Sequence, residues 1–357
     1  MSTSSIVNKI RAKVRSGKID ALFVTDENNI RYLTGFYFAG MVLAFKGKGS
    51  PICFVDAMNS TLAEKLLRDR KSDIKMIPGS IRKTFTCFVN SEKIENLGYD
   101  DGSISVREYE GIIKLLPKTR FISVLGGMSV AEVFESLREI KTPDEIEILR
   151  TAAKKTISIW RKAKKNIGTG MSEIEIASMI DILTKEAGYD NSFHTIAAIG
   201  QNTAYPHAIP AKKNLKMGEH VLVDFGIRYK GYCSDLTRVY LNGRIDRQIT
   251  GLIDCVRRAQ DEAIKIAKDG VKISTMAEVT SKVFRASNLS DLTLHGLGHG
   301  VGLEVHEKPF LRVKCPERLK KGMVLAIEPG LYREGLGGAR KEDMVLIKEK
   351  GCEVLTI

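Results

Sequence analysis

The sequence predicts an α+β chain of two domains. An α/β domain covers residues 1–138, and a domain of helices with a mainly antiparallel sheet covers 139–357. Three observations carry this reading. The length, 357 residues, corresponds to about two domains at roughly 150 residues each. The first 130 residues alternate strand and helix patterns, as α/β units do. From Leu292 onward the pattern becomes glycine-rich strands, after a run of well-capped helices.

In chain order, Ala21-Leu22-Phe23-Val24, Met41 to Phe45 and Ile52 to Val55 read as strands, and Thr61 to Arg70 as an amphipathic helix. Thr142 is placed to cap a helix, with Pro143 at the first helical position and Glu145 completing a capping box, so the domain boundary falls just before it. Ser172 with Glu175 caps a second helix ending near Gly188. A third spans about 248–268. Thr275 with Glu278 is predicted to cap a fourth, to about Ala286. Strands are expected at Val221 to Phe225 and Thr237 to Leu241. No repeat of fixed period is visible.

Composition excludes several classes. With 43% hydrophobic and 28% charged residues the chain has the balance of a folded globular protein. No apolar run approaches the ~18–20 residues of a membrane span, and the charged N-terminus has no signal-peptide core. A cytoplasmic protein with no membrane partner is the expectation. The six cysteines are scattered without C-x-x-C, which predicts buried free thiols rather than disulfides or a zinc ribbon. The net charge of +13 raises nucleic-acid binding. The excess is shared by both halves, and the densest run, Arg161-Lys162-Ala163-Lys164-Lys165, has no interleaved aromatics and reads as a solvated helix face. Nucleic acid is not an expected partner.

The chemistry concentrates in the second half, which holds all six histidines, three of them in HGLGHGVGLEVHE (295–307). Asp224 ends an apolar run and Asp235 precedes the next strand. A tight hairpin over Arg228–Gly231 would set the two directly across from each other, with Cβ atoms about 5 Å apart. Glu328 and Glu342 are related in the same way about a turn centred on Gly335. Facing carboxylates repel each other, and a bound cation reverses that sign. Two such pairs and a histidine suggest a dinuclear metal site. Oxygen-rich donors suit Mn²⁺, Co²⁺ or Fe²⁺ better than a structural thiolate zinc, and two adjacent metals can activate water against a carbonyl. The competing motifs fail: Val301 stands where G-x-G-x-x-G needs glycine, and there is no G-x-S-x-G, H-E-x-x-H or Walker A sequence.

The stretches DFGIRYKGYCSDLTR (224–238), HGLGHGVGLEVHE (295–307), IEPGLY (327–332) and RKEDMV (340–345) resemble the pita-bread metallopeptidases of the aminopeptidase P and prolidase branch. KIDALFVTDENNIRYLTGF (18–36) is similar to the creatinase-type N-terminal domain, so the resemblance spans nearly the whole chain. It implies a pita-bread catalytic domain over 139–357 that hydrolyses the Xaa-Pro bond at the N-terminus of small peptides. The nucleophile would be a hydroxide bridging two divalent metals, Mn²⁺ foremost, with Co²⁺, Fe²⁺ or Zn²⁺ as alternatives. By the same resemblance Asp224 binds one metal, His299 and Glu328 the other, and Asp235 and Glu342 bridge. Glu328 doubles as general base. His207 and His306 contact the substrate and its oxyanion, Arg340 and Thr237 support the ligands or substrate, and His295 lies nearby. A homodimer is also implied.

Two departures bear on specificity. Many prolidases place an arginine directly after V-H-E-x-P, where this chain has Phe310, with Arg312 two residues on. That favours an Xaa-Pro aminopeptidase over an Xaa-Pro dipeptidase. His194 stands where many relatives carry aspartate and receives no role, and His220 is expected at the surface. The competing readings are a methionine aminopeptidase, a non-catalytic peptide-binding relative and a nucleic-acid-associated one.

Overall fold

A computed structural model describes residues 3–70, 73–125 and 127–357. The chain divides into two compact units, Met1–Arg138 and Glu139–Ile357.

In the first unit the strands β1 (Ala21–Val24), β2 (Val42–Lys46), β3 (Ile52–Val55), β4 (Lys75–Pro78), β5 (Asn96–Tyr99) and β6 (Arg120–Ile122) form one sheet of order β4-β3-β2-β1-β5-β6. β1 pairs antiparallel with β2 and parallel with β5. All four residues of β1 are buried because both faces of the sheet are covered. Leu22 and Val24 meet residues of α1 (Thr3–Ser16), α2 (Glu27–Thr34), α3 (Ser60–Asp69) and α6 (Val130–Glu139). Ala21 and Phe23 point the other way, into Phe85, Phe88 and Ile112 of α4 (Ile81–Ser91) and α5 (Val106–Leu115). The period-two alternation thus serves two cores. A short β7 (Val124–Leu125) and β8 (Met128–Ser129) precede α6.

The second unit opens with α7 (Pro143–Asn166), where Thr142 and Glu145 form the capping box and Pro143 stands at the start. α8 (Glu173–Glu186) begins with the second predicted box, Ser172 and Glu175. These helices cover a sheet of β10 (Ile196–Ile199), β11 (His220–Phe225) and β14 (Leu236–Leu241); between them β9 (Asp190–Asn191), β12 (Ile227–Tyr229) and β13 (Tyr232–Cys233) make a smaller ribbon. α9 (Arg247–Ile266) and α10 (Ile273–Ala286) follow. α10 starts two residues before the predicted cap, so Thr275 lies inside the helix and Lys272 holds the cap position without a side-chain bond.

The last sheet has the order β16-β15-β17-β20-β21: β15 (Gly298–Gly300), β16 (Glu307–Leu311), β17 (Val324–Ile327), β20 (Asp343–Ile347) and β21 (Cys352–Val354). β18 (Gly330–Arg333) and β19 (Gly337–Arg340) extend the β17–β20 hairpin beyond it. Cys53, Cys233 and Cys255 are buried free thiols, but Cys87 is exposed and Cys315 and Cys352 are partly so. No helix of the described residues is long and apolar enough to cross a membrane.

Candidate metal centre

The first hairpin differs from the predicted register. Asp224 pairs with Thr237, and Asp235 lies two residues before that partner, so the two aspartates are diagonal neighbours on one face rather than directly opposed. The turn explains the shift. Lys230 and Gly231 both have positive φ, +49° and +88°, as the two central residues of a type I′ turn require. The loop is therefore centred one residue later than the Arg228–Gly231 midpoint. The second hairpin has the predicted register: Ile327 pairs with Asp343 and Gly330 with Arg340, which sets Glu328 across from Glu342.

These strand ends converge on one cavity of about 830 Å³. Asp235, His299 and Glu342, all buried, each offer an atom within 4.8 Å of the others. His299 Nε2 lies 3.5 Å from Glu328 Oε1 and 3.8 Å from Asp235 Oδ2. The other ring nitrogen, Nδ1, is 3.1 Å from the carbonyl of Gly300. Donation there fixes the tautomer with a lone pair on Nε2, facing the carboxylates. β15 admits this close packing only as glycine: a Cβ on Gly298 would stand 1.9 Å from Ala326 O, and one on Gly300 2.3 Å from Lys308 O.

Arg340 is the counter-charge. Its guanidinium donates to Asp224 Oδ2 at 2.7 Å, Thr237 Oγ1 at 3.0 Å, Tyr332 Oη at 2.9 Å and Pro206 O at 3.2 Å. Thr237 in turn donates to Glu342 Oε2 at 2.9 Å. One buried cation does not balance four carboxylates. Burial, then Glu342 and Asp224, hold the Asp235 carboxyl well above its ordinary range, and burial followed by Asp224 and Glu328 does the same to Glu342. Burial pushes Glu328 up to about 7 and His299 down to about 4, the latter aided by His306. Asp224 Oδ1 is buried with no hydrogen-bond partner. An orphaned oxygen, crowded carboxylates and a pre-oriented imidazole fit divalent cations, which would turn each of these penalties into attraction.

Asp224, Asp235, His299, Glu328, Glu342, Arg340, His207, His295 and His306 all line this cavity. Thr237 does not line it but supports Glu342 from behind. The His306 ring sits edge-on to His299, 4.3 Å between centroids. His295 Nε2 bonds Tyr332 Oη at 2.8 Å, which ties it to Arg340 through that hydroxyl. Tyr332 went unread in the sequence. Its signals were its place at the end of the IEPGLY stretch and on β18, opposite Gly338 of β19. His220 is not at the surface: it is buried, and its Nε2 bonds Thr203 Oγ1 and Gly338 O, each at 3.0 Å. It begins a fully buried strand, and its one polar edge finds partners from two other segments.

Residues 147–349 match the model of metallopeptidase family M24, and residues 7–140 match the creatinase/prolidase N-terminal domain. The "uncharacterized peptidase YqhT" of Bacillus subtilis is 32% identical over 340 residues, 95% of this chain and 94% of that protein. Among solved structures, an Xaa-Pro dipeptidase from Bacillus anthracis superposes with a TM-score of 0.92 at 28% identity, covering 99% of this chain and 98% of that one. An X-Pro aminopeptidase from Thermotoga maritima does so with a TM-score of 0.86, also at 28% identity, covering 97% of each.

Proposed function

The chain belongs to metallopeptidase family M24, and from that premise we propose that it hydrolyses the Xaa-Pro bond at the N-terminus of small peptides. The observation that carries the reading is the convergence of Asp224, Asp235, His299, Glu328 and Glu342 on one cavity. These five would hold two divalent cations, with Mn²⁺ suited by the oxygen-rich set. Bound there, the cations supply Lewis-acid polarisation of the scissile carbonyl and activation of water.

The remaining roles belong to the chain. Glu328 would take a proton from the attacking water and return it to the leaving proline nitrogen, which has no proton of its own. His207 and His306 offer ring N–H donors to the oxyanion. The apolar wall of Pro206, Ile209, Pro210 and Phe310 suits a pyrrolidine ring. Arg340 keeps Asp224 and Thr237 in place. We further propose that the enzyme works as a homodimer in the cytoplasm, which gel filtration and fractionation would test.

Substrate length is the finer question, and the two structural neighbours carry both names. The Phe310 position favours indifference to length. Against that, β16 bulges between its pairings of Glu307 with Gly300 and Phe310 with His299. Arg312 lines the cavity, its guanidinium 5.2 Å from the Phe310 ring centroid. That placement favours the dipeptide reading, because the free carboxylate of Xaa-Pro would meet Arg312. A charged hydrogen bond is worth roughly 1.5–3 kcal/mol, or about 10–150-fold. Release of alanine from Ala-Pro and Ala-Pro-Ala, abolished by chelation and restored by divalent cations, tests the activity. A dipeptide preference in kcat/KM that vanishes in Arg312→Ala identifies the dipeptidase; no preference identifies the aminopeptidase.

A further inference from the structure

One wall of the cavity takes no part in the chemistry above. It is built from Ala177 and Asp181, one turn apart on α8, and from Phe193, His194, Thr195 and Ile196 on the segment entering β10. Ile196 pairs with Asp224 across the β10–β11 ladder, so this wall abuts the carboxylate cluster without belonging to it. Its only acid is Asp181. Thr195 Oγ1 donates to Asp181 Oδ1 at 2.6 Å, and Asn191 Nδ2 donates to the same oxygen at 2.5 Å. Those two bonds fix the carboxylate. Oδ2 accepts no hydrogen bond and pairs with no cation among the described residues. With histidine at 194, the negative charge of this wall rests on Asp181 alone.

A fixed carboxylate with one uncommitted oxygen, set in a largely apolar wall, recognises a cationic donor. The substrate supplies two candidates. The α-amino nitrogen is only two bonds from the scissile carbonyl carbon, so it would lie close to the carboxylate cluster. The side chain of the first residue reaches further. We propose that Asp181 is the specificity-determining acceptor for that side chain and selects lysine or arginine before the proline. The inference rests on the Xaa-Pro reading above.

The test compares Lys-Pro with norleucine-Pro, which keeps a linear chain of similar length but lacks the ammonium, and uses Leu-Pro as reference. The enzyme is the full chain loaded with divalent cations. In the native protein kcat/KM should favour Lys-Pro over norleucine-Pro by about tenfold or more, and the ratio should shrink as salt is raised. Asp181→Asn should bring the ratio to about one while norleucine-Pro and Leu-Pro keep their rates. A native ratio near one, or one indifferent to salt, overturns the proposal without recourse to the variant. So does an equal loss on all three peptides in Asp181→Asn, which would make the residue only a brace for Thr195 and Asn191. If none of the three first residues is released, either from Xaa-Pro or from Xaa-Pro-Ala, the Xaa-Pro function falls and this inference with it. If they are released and the ratio is flat, this inference falls alone.

Discussion

Residues 143–241 and 247–347 follow one plan. Each has a long helix, a turn through a positive-φ glycine (Gly170, Gly270), a second helix of 14 residues, and a hairpin of buried strands. The matching extends to single bonds: Gly170 N donates to Leu215 O at 2.8 Å, and Gly270 N to Leu319 O at 2.9 Å. In both halves an apolar strand runs into an acid, Val-Leu-Val-Asp224 in one and Leu-Ala-Ile-Glu328 in the other. The halves differ on the return strand. In the first, the returning acid is diagonal to Asp224, and Thr237 takes the opposite position. In the second, Glu342 stands across from Glu328 itself. Thr237 then bonds Glu342, so the residue that displaces a carboxylate in one half holds the carboxylate of the other. The lesson is that one scaffold, used twice with the register changed by a turn, yields a clustered rather than a symmetric set of donors.

If both returning acids serve one centre, removing either should be equally severe. Asp235→Asn and Glu342→Gln should each lose bound metal and about 10³-fold or more in kcat/KM, as expected when several kcal/mol of metal-derived stabilisation disappears. Metal analysis and peptide assay check this. Stripped of metal, both variants should melt above the native chain, because each removes one of several buried like charges. Full metal content in either variant breaks the equivalence.

His207 lies outside both hairpins, and its loss should separate binding from chemistry. His207→Ala should keep its metals and lower kcat by about 10²–10³, the scale of one oxyanion donor. Collapse of metal content would move His207 into the ligand set.

The smallest effect concerns a pair that joins the first half to the strand that follows the second. Arg150 on α7 grips Glu353 on β21 through two bonds of 2.9 and 3.2 Å. Arg150 first, then Lys348, lower the Glu353 carboxyl to about 2. A depressed carboxyl contributes stability above its unfolded value of about 4.5, and that contribution is lost as pH falls toward 2. Glu353→Gln should therefore flatten the acid limb between pH 4.5 and 2. At pH 7 the cost should be no more than about 1 kcal/mol for so exposed a pair, or about 2–4 °C in Tm. An unchanged acid limb would mean that α7 and β21 are not held together there.

The sequence was most legible where a single local interaction decides the outcome. Thr142, Pro143 and Glu145 announce α7 because the capping box closes within four residues. The Glu328–Glu342 register followed from one glycine-centred turn. The Asp224–Asp235 register did not, because Lys230 adopting φ of +49° is not written in its side chain. The doubled plan was hidden for a related reason: the halves share glycine turns and apolar periodicity but few identities, and backbone bonds such as Gly170 N to Leu215 O leave no mark on residue type. His220 shows the limit of reading a polar residue by itself, since its partners arrive from Thr203 and Gly338, far along the chain.

Glycines occupy positions 296, 298, 300 and 302, and a Cβ at each would meet Leu311 O at 3.0 Å, Ala326 O at 1.9 Å, Lys308 O at 2.3 Å and Glu307 Oε1 at 2.2 Å. Between them stand Leu297, His299 and Val301, turned to the opposite face. In terms of inheritance, this segment has almost no room to drift. In a saturation library across it, positions 298 and 300 would be closed by the backbone oxygens of Ala326 and Lys308, positions 296 and 302 narrowed to what Leu311 O and the Glu307 side chain can yield, and His299 closed for chemical reasons. Lineages carrying this chain can change their specificity at the cavity walls, but the strand that carries the imidazole is one they can only keep or lose.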